Sequence, residues 1–230
     1  MDEQEDLGFG VIADSFKYSA EHLNTLEITS RIVQAEMPMM YLYRHACELF
    51  LKSSIMLFHY HLEIDFIPHD KQKFVLKNGK NIRTINNTHS LKFLYEYLIN
   101  IVKTKREELQ NRFPNEMWEY IFTIKDEIDF ISEYDDKSDY FRYASGKVPS
   151  TRDLEKQTVK SVPITNINNI KYERPTINYL IVNSDNEIIK MYKIEENVLK
   201  ELKEKIIKIC NILENFNLQT RYILKRNNEN

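Results

Sequence analysis

The sequence predicts a mainly α-helical single domain, a bundle of four to five helices carrying two small β-hairpin insertions. Apolar residues recur at three- and four-residue spacing along most of the chain, which lines them up on one face of a helix. Only two stretches, near residues 73–85 and 176–193, show β-prone runs meeting at a turn signal instead. Glycine and proline are scarce, at four and six residues, too few for the many turns of a β-sandwich or barrel. A chain of 230 residues is long enough to bury one large core, and the expected domain is the whole span 1–230.

The first helix is expected to start near Asp14 or Ser15, either of which can cap it, with Phe16, Ala20, Leu23 and Leu26 on one face. Pro38, favourable in a first turn, opens a second helix that runs to about Tyr60. Its apolar residues, among them Met40, Tyr43, Ala46, Phe50 and Ile55, cover most of the circumference, which suits the middle of a bundle. Residues 74–77 and 80–85 flank Asn78-Gly79 and read as a hairpin, because that dipeptide tolerates the positive φ of a tight turn. A third helix begins around 88–90 and carries Leu91, Leu94, Leu98, Ile101 and Val102. Pro114 opens a fourth, with Met117, Ile121, Ile124, Ile128 and Ile131 on one face, ending in the acidic stretch 133–139.

From about 144 to 175 the periodicity breaks into a polar loop punctuated by Gly146, Pro149, Pro163 and Pro175. Runs 176–183 and 187–193 form the second hairpin. The last helix spans about 195–224. Leu199, Leu202, Ile206, Ile209, Leu213 and Phe216 form an a/d stripe on it. The stripe is under three heptads long, so packing within its own bundle is favoured over an intermolecular coiled coil.

Net charge is −3, so no global basic field draws in nucleic acid, and any such binding must use a local patch. The glycines cannot form a P-loop. Gly8-Phe9-Gly10-Val11-Ile12-Ala13 matches a loose dinucleotide fingerprint, but it follows an acidic hexapeptide rather than a strand. No cofactor is expected. Cys47 and Cys210 sit in apolar helical patterns and make neither a disulfide framework nor a zinc site. With an acidic N-terminus and no long apolar run, the expectation is a cytoplasmic protein without membrane contact.

Four polar residues stand out on the second helix. At about 100° per residue, Arg44, His45, Glu48 and Lys52 share one sector of an otherwise apolar cylinder. Arg44, Glu48 and Lys52 form an i, i+4 ladder in which Glu48 can pair with both cations. The sector reads as a solvated stripe or structural ion network, or as a pocket that binds an anion. A buried version must be fully paired, because unpaired buried charge costs several kcal/mol. Further on, Arg142 lies between aromatics in Tyr140-Phe141-Arg142-Tyr143, where it can stack on a base or fork onto a phosphate. The competing reading has Phe141 and Tyr143 plugging the core. His59-x-His61 offers two imidazoles without a clear third ligand, and the acidic set Glu127, Asp129, Glu133, Asp135, Asp136 and Asp139 reads as a solvated helix face. No metal site is expected.

The segment Tyr41-Leu42-Tyr43-Arg44-His45-Ala46-Cys47-Glu48-Leu49-Phe50-Leu51-Lys52, with His89-Ser90-Leu91 opening a helix and Phe141-Arg142-Tyr143 later, resembles HEPN-like bacterial helical proteins. The resemblance covers about 36–60, 88–100 and 125–145. It implies an up-and-down bundle, often a homodimer. It also implies a metal-independent ribonuclease of a toxin–antitoxin or anti-phage system, acting on RNA, or else an inactive module binding a protein partner or a nucleotide. That family's signature is Arg-x(4–6)-His, and Arg83-x5-His89 fits the spacing. The resemblance makes Arg83 and His89 the catalytic candidates. Arg44, His45, Glu48, Lys52 and Arg142 would then shape the site or form its polar core.

Overall fold

A computed structural model of the chain describes residues 6–25, 36–66, 74–135, 138, 159–162, 177–194 and 196–226. The fold is mainly helical with small antiparallel β elements, as the periodicity requires. Where the sequence suggests one domain, the chain divides into two compact units, Met1–Arg142 with Lys205–Asn230, and Tyr143–Glu204.

The first unit opens with α1 (Phe9–Thr25) and α2 (Glu36–His61). α1 starts ahead of the expected Asp14 because Asp6 caps it. Its two carboxylate oxygens accept from the backbone N–H of Gly8 and of Gly10, each at 3.0 Å. Gly8 takes the positive φ of 76° that this turn needs. At Gly10, a Cβ would fall 1.2 Å from Nη2 of Arg221. Capping and close approach therefore account for both glycines of the loose fingerprint.

The hairpin follows as β1 (Val75–Asn78) and β2 (Asn81–Thr84), close to the expected span. Its turn is shifted by one residue. Asn78 pairs with Asn81, so the loop is Gly79-Lys80, and there only Gly79 has positive φ, the pattern of a type II′ turn. α3 (Leu91–Thr104) begins where Ser90 accepts from the N–H of Phe93 at 3.2 Å.

After α4 (Arg106–Arg112), the single helix expected from Pro114 is instead two pieces that start only beyond Trp118: a 3₁₀ turn (Glu119–Ile124) and α5 (Lys125–Asp135). The indole of Trp118 explains the break. It packs against Phe58, Phe113 and Phe216 at centroid distances of 5.5, 6.0 and 6.0 Å, and Met117 is left 72% exposed rather than in the core.

The C-terminal helix α6 (Glu196–Arg226) spans the expected range. Leu202, Ile206, Ile209, Leu213 and Phe216 of its stripe are all buried within the chain itself. Phe216 stacks near Phe58 of α2, and Asn217 donates to Ser53 and Ser54 at 2.8 and 3.1 Å. Cys47 and Cys210 are buried free thiols in contact with each other, and burial pushes the Cys210 thiol well up.

The second unit holds a three-stranded antiparallel sheet in the order β3 (Val159–Val162), β5 (Ile188–Ile194), β4 (Ile177–Val182). The β4–β5 pair is the expected second hairpin. Asn183 organises its turn, its side-chain oxygen accepting from the N–H groups of Asp185 and Glu187 at 3.0 and 2.9 Å. β3 lies inside the stretch read as a polar loop. Four residues, marked only by Pro163 at one end, are too short to show as a strand in sequence. The rest of 144–175 lies outside the described residues. No helix among the described residues is long and apolar enough to cross a membrane.

Candidate functional site

The polar sector of α2 is closed over by the start of α3 and the end of α5. Arg44 is 0% exposed and uses all three guanidinium nitrogens as donors. Nε donates to Oδ2 of Asp135 at 3.0 Å, Nη1 to Oε2 of Glu48 at 2.8 Å, and Nη2 to the backbone carbonyl of His89. Lys52, also buried, donates to Oε1 of Glu48 at 2.9 Å and to the carbonyl of Asn86 at 3.3 Å. Two cations face two carboxylates, so the network is paired as burial demands. The ladder expected from sequence is present, with Glu48 bridging both cations.

The network also holds the backbone above it. Arg44 and Lys52 grip the carbonyls of His89 and Asn86 from below. Thr88 donates its hydroxyl to the carbonyl of Thr84 at 2.7 Å, and Asn87 its N–H to the same oxygen at 3.2 Å. The turn between β2 and α3 is thereby fixed, and with it the His89 side chain.

Nδ1 of His89 lies 3.0 Å from Oε1 of Glu48, and the ring is 44% exposed. Burial acts to raise the pKa of Glu48. The charges of Lys52 and Arg44 and the Lys52 hydrogen bond outweigh it and hold the carboxyl below its usual range. An ionised carboxylate only accepts, so in the neutral ring Nδ1 carries the proton and Nε2 is the basic nitrogen. This is the arrangement that orients a general base.

Arg83 is exposed on β2, where the sequence places it. Its guanidinium lies 4.8 Å over the ring of Phe93, in the first turn of α3. Arg83 and His89 therefore both stand at the N-terminal end of α3, without a hydrogen bond between them among the described residues. His45 turns the other way. Its ring meets Phe16 edge-on at 4.5 Å and stacks on Tyr41 at 5.9 Å, on the α1 side of α2. Arg142, with Phe141 and Tyr143, lies outside the described residues.

The remaining candidates resolve into structural contacts. Nδ1 of His59 bonds the carbonyl of Ile64 at 2.7 Å and Nε2 bonds the hydroxyl of Tyr97 at 2.9 Å, which leaves neither nitrogen for a metal. Among the described residues, no group of His, Cys, Asp and Glu is placed to hold a metal ion. In the acidic set, Asp129 pairs with Lys92 and Lys125 at 2.6 Å each, and Glu127 pairs with Lys208. Asp135 departs from the solvated face expected of it. It is buried on Arg44, across 91 residues of sequence. No local pattern marks it, and only the need of a buried arginine for a second carboxylate could have pointed there.

The chain matches no protein-family model, no curated protein and no solved structure.

Proposed function

We propose that this chain is a HEPN-like, metal-independent ribonuclease in which His89 moves the proton and Arg83 stabilises phosphoryl charge. The observation that carries the reading is the half-exposed His89 ring held through Nδ1 by the buried, ionised Glu48. Nε2 of His89 takes the proton of a ribose 2′-hydroxyl. The 2′-oxygen attacks the adjacent phosphorus, and negative charge builds on the non-bridging oxygens. Arg83 offers a planar fork to those oxygens. The P–O5′ bond breaks, the 5′-oxygen takes a proton from water, and the His89 imidazolium returns its proton to solvent, giving a 2′,3′-cyclic phosphate and a 5′-hydroxyl end. Positioned proton transfer of this kind is worth roughly 10²–10⁴-fold in rate.

The resemblance to HEPN-like proteins places such an enzyme in a toxin–antitoxin or anti-phage system, as a cytoplasmic homodimer with a site built where two bundles meet. The buried stripe of α6 supplies no seam for that dimer, so it rests on the resemblance alone.

The test is incubation of the purified protein with RNA in EDTA, beside Arg83→Ala and His89→Ala. Cleavage leaving cyclic phosphate ends, lost in both variants, supports the proposal. Cleavage retained in both rejects this site. A second reading is a non-catalytic helical module for a protein partner or nucleotide. It draws on the complete burial and internal pairing of Arg44 and Glu48, which suit a purely structural network.

A further inference from the structure

The β1–β2 hairpin carries a charge imbalance that the core does not explain. Residues 74–85 hold Lys77, Lys80 and Arg83 and no carboxylate, in a chain whose net charge is −3. All three cations are exposed, and none forms an ion pair among the described residues. Most surface lysines on the helices behave differently. Lys92, Lys105, Lys125 and Lys208 each hold a carboxylate. Glu96 of α3 meets the hairpin through an uncharged partner, accepting from the side-chain amide of Asn78 at 3.2 Å.

The hairpin is also positioned as an arm. Its base is tied down, with Val75, Leu76 and Ile85 buried and Ile85 donating its N–H to the carbonyl of Phe74 at 3.0 Å. Its tip stands free, since nothing approaches within 4 Å of where a Cβ on Gly79 would lie. Cross-strand pairing puts Lys77 and the half-exposed Ile82 on one face and Arg83 on the other, with Lys80 at the turn. Arg83 meets Phe93 in the first turn of α3, and the exposed ring of His89 lies two residues before that helix begins. Cations thus occupy both faces and the turn of the hairpin, with Arg83 at its α3 end.

We propose that this hairpin is the arm that holds single-stranded RNA, with Lys77 and Lys80 contacting phosphates and Arg83 passing the strand to His89. The inference rests on the ribonuclease reading for its direction and substrate, but binding and cutting can be tested apart. Unpaired cations on an arm fit a flexible phosphodiester chain, which can follow both faces and the tip. The exposed Ile82 beside Lys77 gives an unstacked base an apolar surface.

The experiment uses the full chain and a labelled 2′-O-methyl RNA of single-stranded sequence, which cannot be cut by 2′-hydroxyl attack. Fluorescence anisotropy across a salt series is compared for the wild type, the double variant Lys77→Gln/Lys80→Gln, and Lys103→Gln at the far end of α3. Losing two phosphate contacts lowers the slope of log affinity against log salt by about 1.4, since each contact on a single strand contributes about 0.7. We expect that change, with affinity about tenfold weaker at moderate salt, in the double variant only. Circular dichroism of the double variant should match the wild type, because both lysines are exposed. Equal affinity and slope in wild type and double variant would overturn the inference. So would a wild type that binds anionic phospholipid vesicles and not RNA. Hairpin-dependent binding without cleavage of ordinary RNA leaves the arm standing and removes the ribonuclease reading. Cleavage with hairpin-independent binding does the reverse.

Discussion

Nδ1 of His89 and Oε1 of Glu48 are 3.0 Å apart, joined across 41 residues of sequence between the middle of α2 and the entry to α3. The same Glu48 oxygen accepts from Lys52 at 2.9 Å, so the carboxylate that orients the imidazole is itself held in place. A positioning role and a catalytic role predict different losses. His89→Ala removes the proton acceptor, and RNA cleavage should fall by about 10²–10⁴-fold. Glu48→Gln leaves the ring but turns an amide N–H toward a cation or toward Nδ1. Its kcat should fall by less, roughly 10-fold, with KM unchanged. Steady-state kinetics on a short RNA would separate the two. Equal losses in kcat and in KM for both variants would count against the orienting role.

Arg44 and Arg83 have opposite surroundings, and their removal should separate stability from activity. Arg44 is wholly buried on Glu48, Asp135 and a backbone carbonyl. Arg44→Ala takes a cation away from two buried carboxylates, leaving Glu48 with Lys52 alone, and breaking such a network costs about 3–5 kcal/mol. Arg83 is exposed and rests on Phe93, a contact worth about 0.5–1 kcal/mol. Urea unfolding followed by circular dichroism should show a large drop in midpoint for Arg44→Ala and a small one for Arg83→Ala. A stable Arg44→Ala protein would mean that the network relaxes or admits water.

These contrasts show what the sequence can and cannot carry. Spacing placed Arg44, Glu48 and Lys52 on one sector, and a helix apolar elsewhere made their burial with mutual pairing foreseeable. Asp135 was hidden, because its partner lies on another helix and its own neighbours are acidic and soluble in character. His45 shares the wheel sector yet turns to Phe16, a choice made by α1 packing that no property of α2 reveals. The fold class followed from periodicity. The break around Trp118 did not, since an indole seeking three aromatic partners is a tertiary effect that overrides a helical pattern.

Two buried groups should give stability two separate losses on acidification. His59 is held below its ordinary pKa of 6.5, chiefly because burial disfavours the imidazolium, with the Ile64 carbonyl and Asp65 acting against it. A depressed folded pKa means that the unfolded chain takes up the proton first. Stability is therefore full above 6.5 and declines as pH falls toward the folded value. For Glu48 the unfolded value is 4.5 and the folded one lower, so its contribution is full above 4.5 and is lost as pH falls through the lowered value. Thermal melts should drop first as pH falls below about 6.5, by about 2–4 °C for each kcal/mol lost. His59→Gln should flatten that first step and leave the second. Glu48→Gln should start from a lower Tm and show a weaker second step. A His59→Gln protein with an unchanged first decline would show that another group drives it.

At the start of α1, Asp6 and Gly10 share Arg221 but should differ in what they contribute. Asp6 accepts from the N–H groups of Gly8, just ahead of α1, and Gly10, within it, and from the hydroxyl of Ser53 at 2.6 Å. Burial acts to raise its pKa, and those hydrogen bonds outweigh it and keep the carboxylate ionised. Asp6→Ala removes the cap and leaves the hydroxyl of Ser53 without that acceptor, a loss of about 1–2 kcal/mol from the cap alone. Gly10→Ala looks more severe, since the new Cβ would lie 1.2 Å from Nη2 of Arg221. That nitrogen is the end of a flexible side chain, however. It stands 3.5 Å from Asp6, too far for a hydrogen bond, and it has no other hydrogen-bond partner among the described residues. The Cβ would also fall 2.3 Å from Cζ and 2.8 Å from Nε, so the whole guanidinium swings out and gives up two long ion pairs, to Asp6 and at 3.4 Å to Asp14, each worth roughly a few tenths of a kcal/mol. Alanine in place of glycine within a helix returns up to about 1 kcal/mol. We therefore expect Gly10→Ala to unfold in urea within about 0.5 kcal/mol of the wild type, and Asp6→Ala to be clearly weaker. The reverse order would mean that Arg221 is seated rigidly and that its contact with α1, rather than the cap, secures the N-terminus of the bundle.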